Sequence, residues 1–275
     1  MTDPAPAVEI RPAATLMLVR DGVDGMEVLM LRRHPDSVFA ADAWVFPGGA
    51  VDPSDGELAP TTALGPTDGV ASTTIGVRSG GLAFFVAAAR ECFEEAGVLL
   101  ARHTGSGVAL DTSSDLDASR LARLRRDLLT GRRSLAQILD AENLVLDLSR
   151  VFYVSHWITP PGPPRRFDTR FFVAAAPAGQ AASHDTAETV ESVWTTPALA
   201  LERGAGGEIH LVFPTIKNLE VLGRFGSVGD LLVAASAIDS VPVVAPRFRG
   251  DPLIPPAALD GHLLTGYDPE LPCPT

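Results

Sequence analysis

The sequence predicts one α+β domain of the α/β class, carrying insertions and extra helices toward its C-terminal end. Three observations predict it. Two apolar runs, Ala13 to Arg20 and Glu27 to Arg33, flank an Asp-Gly-rich turn at 21–25 and read as an antiparallel hairpin. Short apolar segments recur at 44–46, 151–158, 170–176 and 190–195, each of strand length. Segments with helical period alternate with them rather than forming a separate block.

In chain order, residues 1–12 are polar and proline-bearing and are expected to form a flexible arm. The hairpin follows, then Trp44-Val45-Phe46, a strand that ends at Pro47-Gly48-Gly49. Residues 52–81 are rich in Asp, Ser, Thr, Gly and Pro and read as a long loop. Leu82 to Ala96 is a helix stopped by Gly97, the residue type that tolerates the left-handed C-terminal position. Leu116 to Leu129 and Ser134 to Ala141 are expected to be helices with arginine-rich outer faces. Two strands, 151–158 and 170–176, flank a Pro-Pro-Gly-Pro-Pro-Arg-Arg loop; a third strand covers 190–195 and a helical turn 197–203. Consecutive helices are expected over 215–225 and 227–237, and the tail from 241 has no helical period.

Composition narrows the function. With 275 residues and 46% hydrophobic content the chain can bury a sizeable core. Its 34 acidic against 22 basic side chains leave a net charge of −12, a field that repels nucleic acids and anionic membranes. No apolar stretch is long enough for a membrane helix, and the N-terminus lacks a signal-peptide pattern, so a cytoplasmic protein is expected. Two cysteines, Cys92 and Cys273, make no disulfide framework, and Cys92 on a buried helix face is expected to be inert.

The chemistry concentrates in Arg90-Glu91-Cys92-Phe93-Glu94-Glu95-Ala96-Gly97-Val98. On a helix, Glu91, Glu94 and Glu95 share one face, while Phe85, Ala89, Cys92, Phe93 and Ala96 form the opposite, buried stripe. Three carboxylates so close repel one another unless a cation lies between them. Hard oxygen donors without sulfur or imidazole suit Mg²⁺ or Mn²⁺. Arg90 can reach Glu94 one turn on. The same spacing also describes a solvated acidic helix face. Upstream, Phe46-Pro47-Gly48-Gly49 offers small residues that let backbone approach a ligand closely.

With those residues in place the sequence resembles a Nudix hydrolase. Residues 90–98 fit the second half of that family's box, Arg-Glu-U-x-Glu-Glu-x-Gly-U with U apolar, at every specified position, and Gly49 fits its opening glycine. The interval from Gly49 to Arg90 is 27 residues longer than the family's. The first box glutamate falls on Leu82 counted back from Arg90, and on Asp55, with Glu57 close by, counted on from Gly49. An interrupted box is similar to the coenzyme A diphosphatase-like branch. Leu31-Arg32-Arg33 before Val45-Phe46-Pro47-Gly48-Gly49 also matches it, as does His156-Trp157-Ile158-Thr159-Pro160 before Arg165-Arg166-Phe167-Asp168-Thr169-Arg170-Phe171-Phe172.

The resemblance implies an α/β/α sandwich with a mixed sheet, spanning 13–225, with an insertion inside the box at 52–81, a helical insertion at 99–150, and a C-terminal extension at 226–275. It implies a metal-dependent hydrolase of a nucleoside diphosphate linked to another moiety, first of all coenzyme A or acyl-CoA. ADP-ribose, NADH or a nucleoside triphosphate is the alternative substrate, and a non-hydrolytic nucleotide sensor the alternative class. Mg²⁺ or Mn²⁺ would be held by Glu91, Glu94, Glu95 and the Gly48 carbonyl. Arg90, Glu94, Glu95 and a carboxylate outside the box, Glu188 ahead of Glu191, are the catalytic candidates. An acidic protein also needs local cations for a polyanion; Arg32, Arg33, Arg165, Arg166 and Arg170 are the candidates, with Phe167 or Trp157 stacking on adenine. His156 is expected to be a core or supporting residue, since hard Mg²⁺ avoids imidazole. The partner is a small nucleotide, without nucleic acid or membrane; a homodimer is a family-level expectation.

Overall fold

Both apolar runs of the hairpin are continuous rather than alternating, the pattern of strands buried on both faces. In a computed structural model, which describes residues 8–37, 40–58, 60–185, 188–248 and 270–271, they are central strands with a layer of helices on each side. Strand β1 (Ile10–Gly22) turns through Val23-Asp24 into β2 (Gly25–Arg33), with Gly25 at φ +117°. Leu16 and Leu18 point to one core and Met17 and Val19 to the other, and Leu29/Leu31 and Val28/Met30 divide in the same way. Strand β1 begins at Ile10 rather than Ala13, because a later strand runs parallel to it from that point, Ile10 opposite Arg166.

The hairpin is paired only near its tip, from Val19↔Val28 to Gly22↔Gly25. Beyond it the strands diverge, and the next segment fills the split. Strand β3 (Ala43–Val45) pairs with β2, and β4 (Gly48–Ala50) pairs with β1, Thr15 opposite Gly48. Phe46-Pro47 therefore crosses between two diverging strands, and the glycines lie where the sheet opens.

Residues 52–81 are structured, which corrects the long-loop reading. A 3₁₀ turn at Pro53–Glu57 is closed by a capping box, Asp52 accepting from Ser54 N while Asp55 accepts from Asp52 N. A second 3₁₀ turn (Pro60–Thr62), β5 (Ala63–Leu64) and α1 (Asp68–Ile75), capped by Thr67, follow. The Asp, Ser, Thr and Pro residues that suggested a loop are helix caps and starts.

Helix α2 (Gly81–Ala96) comes next, then β6 (Ala101–His103), α3 (Asp115–Leu129), α4 (Leu135–Ala141) and β7 (Leu144–Asp147). The segment 99–150 is thus not purely helical. Strand β7 pairs with β6 and with β5 from the box insertion, so the two insertions build one three-stranded sheet.

Strand β8 (Phe152–Ile158) is antiparallel to β9 (Arg166–Ala175), which runs parallel to β1; β10 (Thr189–Thr195) covers the outer edge of β2. Then α5 (Pro197–Ala205), β11 (His210–Leu211), α6 (Phe213–Leu222), α7 (Val228–Ser236) and β12 (Val243–Val244) complete the described fold, with a short pair between Arg247–Phe248 and Glu270–Leu271. The tail from 241, which has no helical period, supplies β12, parallel to β8 at the sheet edge. Helix α2 and the insertions cover one face of the sheet, and α6 and α7 the other. No helix among the described residues is long and apolar enough to cross a membrane.

Candidate active site

Helix α2 runs between Gly80 and Gly97, both left-handed, and most of its side chains are buried because the sheet covers one side and α1 and α3 the others. This decides against a solvated acidic face. Arg90 is only 9% exposed and all five of its N–H groups are used. Nε and Nη2 donate to the two carboxylate oxygens of Asp55 (2.7 and 3.0 Å), Nη1 to Glu91 (2.9 Å) and Glu94 (2.6 Å), and Nη2 also to the Ala50 carbonyl (2.9 Å). All the donors of this buried guanidinium are thus engaged with the carboxylates and the Ala50 carbonyl.

Asp55 occupies the place left open in the sequence. Its carboxylate is buried against Arg90, whereas Glu57 is exposed and Leu82 lies in the first turn of α2, two turns from the charges. The register counted from Gly49, not from Arg90, finds the partner, because the insertion enters after the 3₁₀ turn.

Two of the glutamates, Glu91 and Glu95, meet the glycines at the sheet split, and Glu94 joins them through Arg90. Gly48 N donates to Glu95 Oε2 (2.9 Å). A Cβ at Gly48 would lie 2.7 Å from the Ala14 carbonyl oxygen and Thr15 Cα, so only glycine fits there, and one at Gly49 would lie 2.5 Å from Glu91 Oε1 and displace that carboxylate. Burial pushes the Glu91 carboxyl up to about 7, against the pull of Arg90. Burial also raises Glu94, and raises Glu95 well above the ordinary range, with the charge of Glu91 adding to it. Three carboxylates, Asp55, Glu91 and Glu94, thus share one enclosed guanidinium while Glu95 is buried beside them, and the excess negative charge is what a cation would neutralise.

Among the described residues no three His, Cys, Asp or Glu side chains converge closely enough to enclose a metal ion. Glu91 and Glu94 are turned to Arg90, and Glu95 to Gly48. The donors are nonetheless all hard oxygens carrying unbalanced charge, a set that fits Mg²⁺ or Mn²⁺ and not a soft metal.

Gly48 and Gly49 line one end of a cleft of about 500 Å³ on the α6 side of the sheet. Its floor comes from alternate residues of β1 (Arg11, Ala13, Thr15) and β9 (Phe167, Thr169, Phe171), and Trp157, Val212 and Phe213 stand against it. Arg33 and Glu188 are at the glycine end. Arg33 has a buried Nε without a partner, and its charge acts on Glu95. Glu188 is exposed and acts electrostatically on Glu91, Glu94 and Glu95, while its backbone oxygen accepts from His34 N (2.8 Å). Asp185 holds the turn by accepting from the Glu188 and Thr189 backbones.

The remaining candidates divide between the cleft and other surroundings. Arg165 and Phe167 line the cleft. Arg170 does not: it lies on the opposite face of β9, over the Phe84 ring at 4.3 Å and beside Asp168 at 3.1 Å. Arg166 has the same parity and donates to the Thr159 carbonyl (3.0 Å). Arg32 pairs with Asp42 (2.7 Å) and, more loosely, with Glu191 (3.6 Å). His156 is buried and paired with Asp168, and burial pushes the Cys92 thiol up to about 12.

Two residues escaped the sequence reading. Arg11 lay in the supposed arm. Arg125 sits in the apolar stripe of α3 with Leu121 and Leu124, a charged residue on a buried face that could have flagged it. Its Nε donates to the Glu94 carbonyl (2.8 Å) and its Nη1 to Ser183 (3.2 Å) and His184 (3.4 Å), so the insertion ties the end of α2 to the segment leading to Glu188.

Comparison with known proteins agrees with this geometry. A family profile, the NUDT19 Nudix domain, matches residues 76–222, just over half of the chain. The chain is similar to the human acyl-coenzyme A diphosphatase NUDT19, 32% identical over 242 residues that cover 76% of this chain and 63% of that protein. The Gallus gallus protein of the same name is 31% identical over 238 residues, covering 74% and 63%. The chain thus spans a little under two thirds of the length of these relatives. A crystal structure of a Nudix hydrolase from Alicyclobacillus acidocaldarius superposes with a TM-score of 0.67 at 33% identity, covering 82% of this chain and 96% of that one. With the box residues gathered on α2 against Gly48-Gly49, the chain belongs to the Nudix hydrolase family, in the branch of the NUDT19 Nudix domain.

Proposed function

We propose that the protein hydrolyses the diphosphate bond of coenzyme A or an acyl-CoA, releasing 3′,5′-ADP and the corresponding phosphopantetheine, with Mg²⁺ or Mn²⁺ as cofactor. The observation that carries this reading is the meeting of Glu91 and Glu95 with Gly48-Gly49, which line one end of an aromatic-walled cleft, with Glu94 tied to Glu91 through Arg90. The acyl-coenzyme A diphosphatase relatives support the choice of substrate.

Glu91, Glu94 and Glu95 would hold the cation, with the Gly48 backbone carbonyl as a further donor. When bound, the cation would neutralise diphosphate charge and make a bound water more acidic. The chain's own groups do the rest. Arg90 keeps Glu91 and Glu94 from swinging apart. Arg33 lines the cleft at the glycine end and would bring positive charge to the diphosphate. Glu188, across from the box glutamates, orients the attacking water and accepts its proton. Trp157, Phe171 and Phe213 exclude bulk water from the cleft and give the organic part of the substrate an apolar wall.

The test is turnover of acetyl-CoA with Mg²⁺ by wild type and by the double variant Glu94→Gln/Glu95→Gln, alongside titration of divalent metal. Loss of both metal binding and turnover is expected. Undiminished turnover in the double variant would show that the box does not perform this reaction.

A further inference from the structure

We propose that Arg11 and Arg165 form a second anion subsite, which receives a phosphate on the ribose of the nucleotide. This deepens, and rests on, the reading of the cleft as a nucleotide diphosphatase site.

Strand geometry places the two arginines together. Arg11 stands opposite Phe167 in the parallel β1–β9 register. Arg165 lies two residues before Phe167, and all three line the cleft, so Arg165 is the diagonal neighbour of Arg11 across the strand pair. The same register measures their distance from the glutamates. Thr15, opposite Gly48, marks the diphosphate end, and Arg11 is four residues along β1, about 13 Å away. Between the ends lie Ala13 and Thr169, with the Phe167 ring beside Arg11 and the Phe171 ring beside Thr15, a gap of nucleoside size with an aromatic residue at each end.

Charge supplies the second part of the argument. The chain is acidic, and several of its arginines are neutralised by carboxylates: Arg20 by Glu27, Arg32 by Asp42, Arg203 by Glu208. Among the described residues Arg11 and Arg165 have neither an ion-pair partner nor a side-chain hydrogen bond, although both are exposed and reachable. Two like charges held side by side in a cleft repel each other, and a dianion bridging them removes that repulsion. Guanidinium groups bind phosphate through paired N–H donors, which a single lysine does not match. Arg33 at the other end remains for the diphosphate. The substrate class is therefore a nucleoside diphosphate derivative with an additional ribose phosphate, and not its dephosphorylated counterpart.

The experiment is calorimetric titration of the full chain with adenosine 3′,5′-bisphosphate and with 5′-AMP, in wild type and Arg11→Ala/Arg165→Ala. Wild type is expected to bind the bisphosphate at least about tenfold more tightly, and the double variant to bring that ratio toward one. Unchanged melting temperature establishes that the variant is folded, as exposed positions predict. Equal affinity of wild type for the two ligands, or no measurable binding of the bisphosphate, overturns the subsite. So does a parallel loss of both ligands in the variant with the ratio preserved. Binding is read without catalysis, so a bisphosphate preference in a protein that hydrolyses no diphosphate supports the subsite while removing the diphosphatase reading.

Discussion

Replacing Asp55 with Asn keeps the size of the side chain and removes its charge from the enclosed Arg90 guanidinium beneath the site. The Asp55 side chain is 1% exposed and that of Arg90 10%, and the carboxylate accepts Arg90 Nε at 2.7 Å, Nη2 at 3.0 Å and Asp52 N at 2.8 Å. Breaking a buried pair from one side costs about 3–5 kcal/mol, because the remaining charge stays buried. Arg90 keeps Glu91, Glu94 and the Ala50 carbonyl, which places the loss at the lower end, about 3 kcal/mol. For a domain of this size that is a fall in melting temperature of roughly 6–12 °C. Thermal and urea unfolding measure it, with an unchanged m-value identifying a stability effect. Glu57→Gln is the control: the residue is exposed, and its variant is expected within about 0.5 kcal/mol of wild type. An Asp55→Asn protein that melts within about 2 °C of wild type, or a Glu57→Gln protein that falls as far, refutes Asp55 as the partner of Arg90.

Gly49→Ala is expected to abolish most turnover, since its Cβ would meet Glu91 Oε1 at 2.5 Å; steady-state kinetics with a retained wild-type kcat contradicts that crowding. Metal dependence of stability should vary with pH. The Glu91 carboxyl is raised from 4.5 to about 7, so the metal-free fold loses stability as pH rises from about 4.5 to about 7, by up to about 3 kcal/mol. Mg²⁺ should therefore raise the melting temperature more at about pH 8 than at about pH 5.5, and an equal rise at both overturns the electrostatic account. Arg125→Ala removes donors to the Glu94, Ser183 and His184 oxygens in a buried setting and is expected to cost about 2–3 kcal/mol, read by urea unfolding. A loss below about 0.5 kcal/mol would mean that the insertion does not hold the end of α2.

The sheet centre and the box helix were legible because their signals are local. Leu16 to Val19 and Val28 to Leu31 are apolar without interruption, and Gly97 marks the end of α2 in the position only glycine favours. What failed depended on contacts distant in sequence or on strand parity. Asp55 reaches Arg90 across 35 residues, so the insertion left two registers open, and only the fold decides for the one counted from Gly49. Arg166 and Arg170 cluster with Arg165 in the sequence, yet alternate residues of β9 face opposite layers, so only Arg165 enters the cleft with Phe167. Arg11 was hidden because the start of β1 is set by its partner β9, not by its own composition. The segment 52–81 misled because capping residues and loop residues are the same residue types.

Mass-resolved turnover of CoA, acetyl-CoA, ADP-ribose, NADH and a nucleoside triphosphate with Mg²⁺ or Mn²⁺ tests the central claim most directly. The account predicts 3′,5′-ADP together with phosphopantetheine from CoA, and its acetylated form from acetyl-CoA, as the preferred reaction. Preference for ADP-ribose or NADH, or no turnover of any of the five, would contradict it.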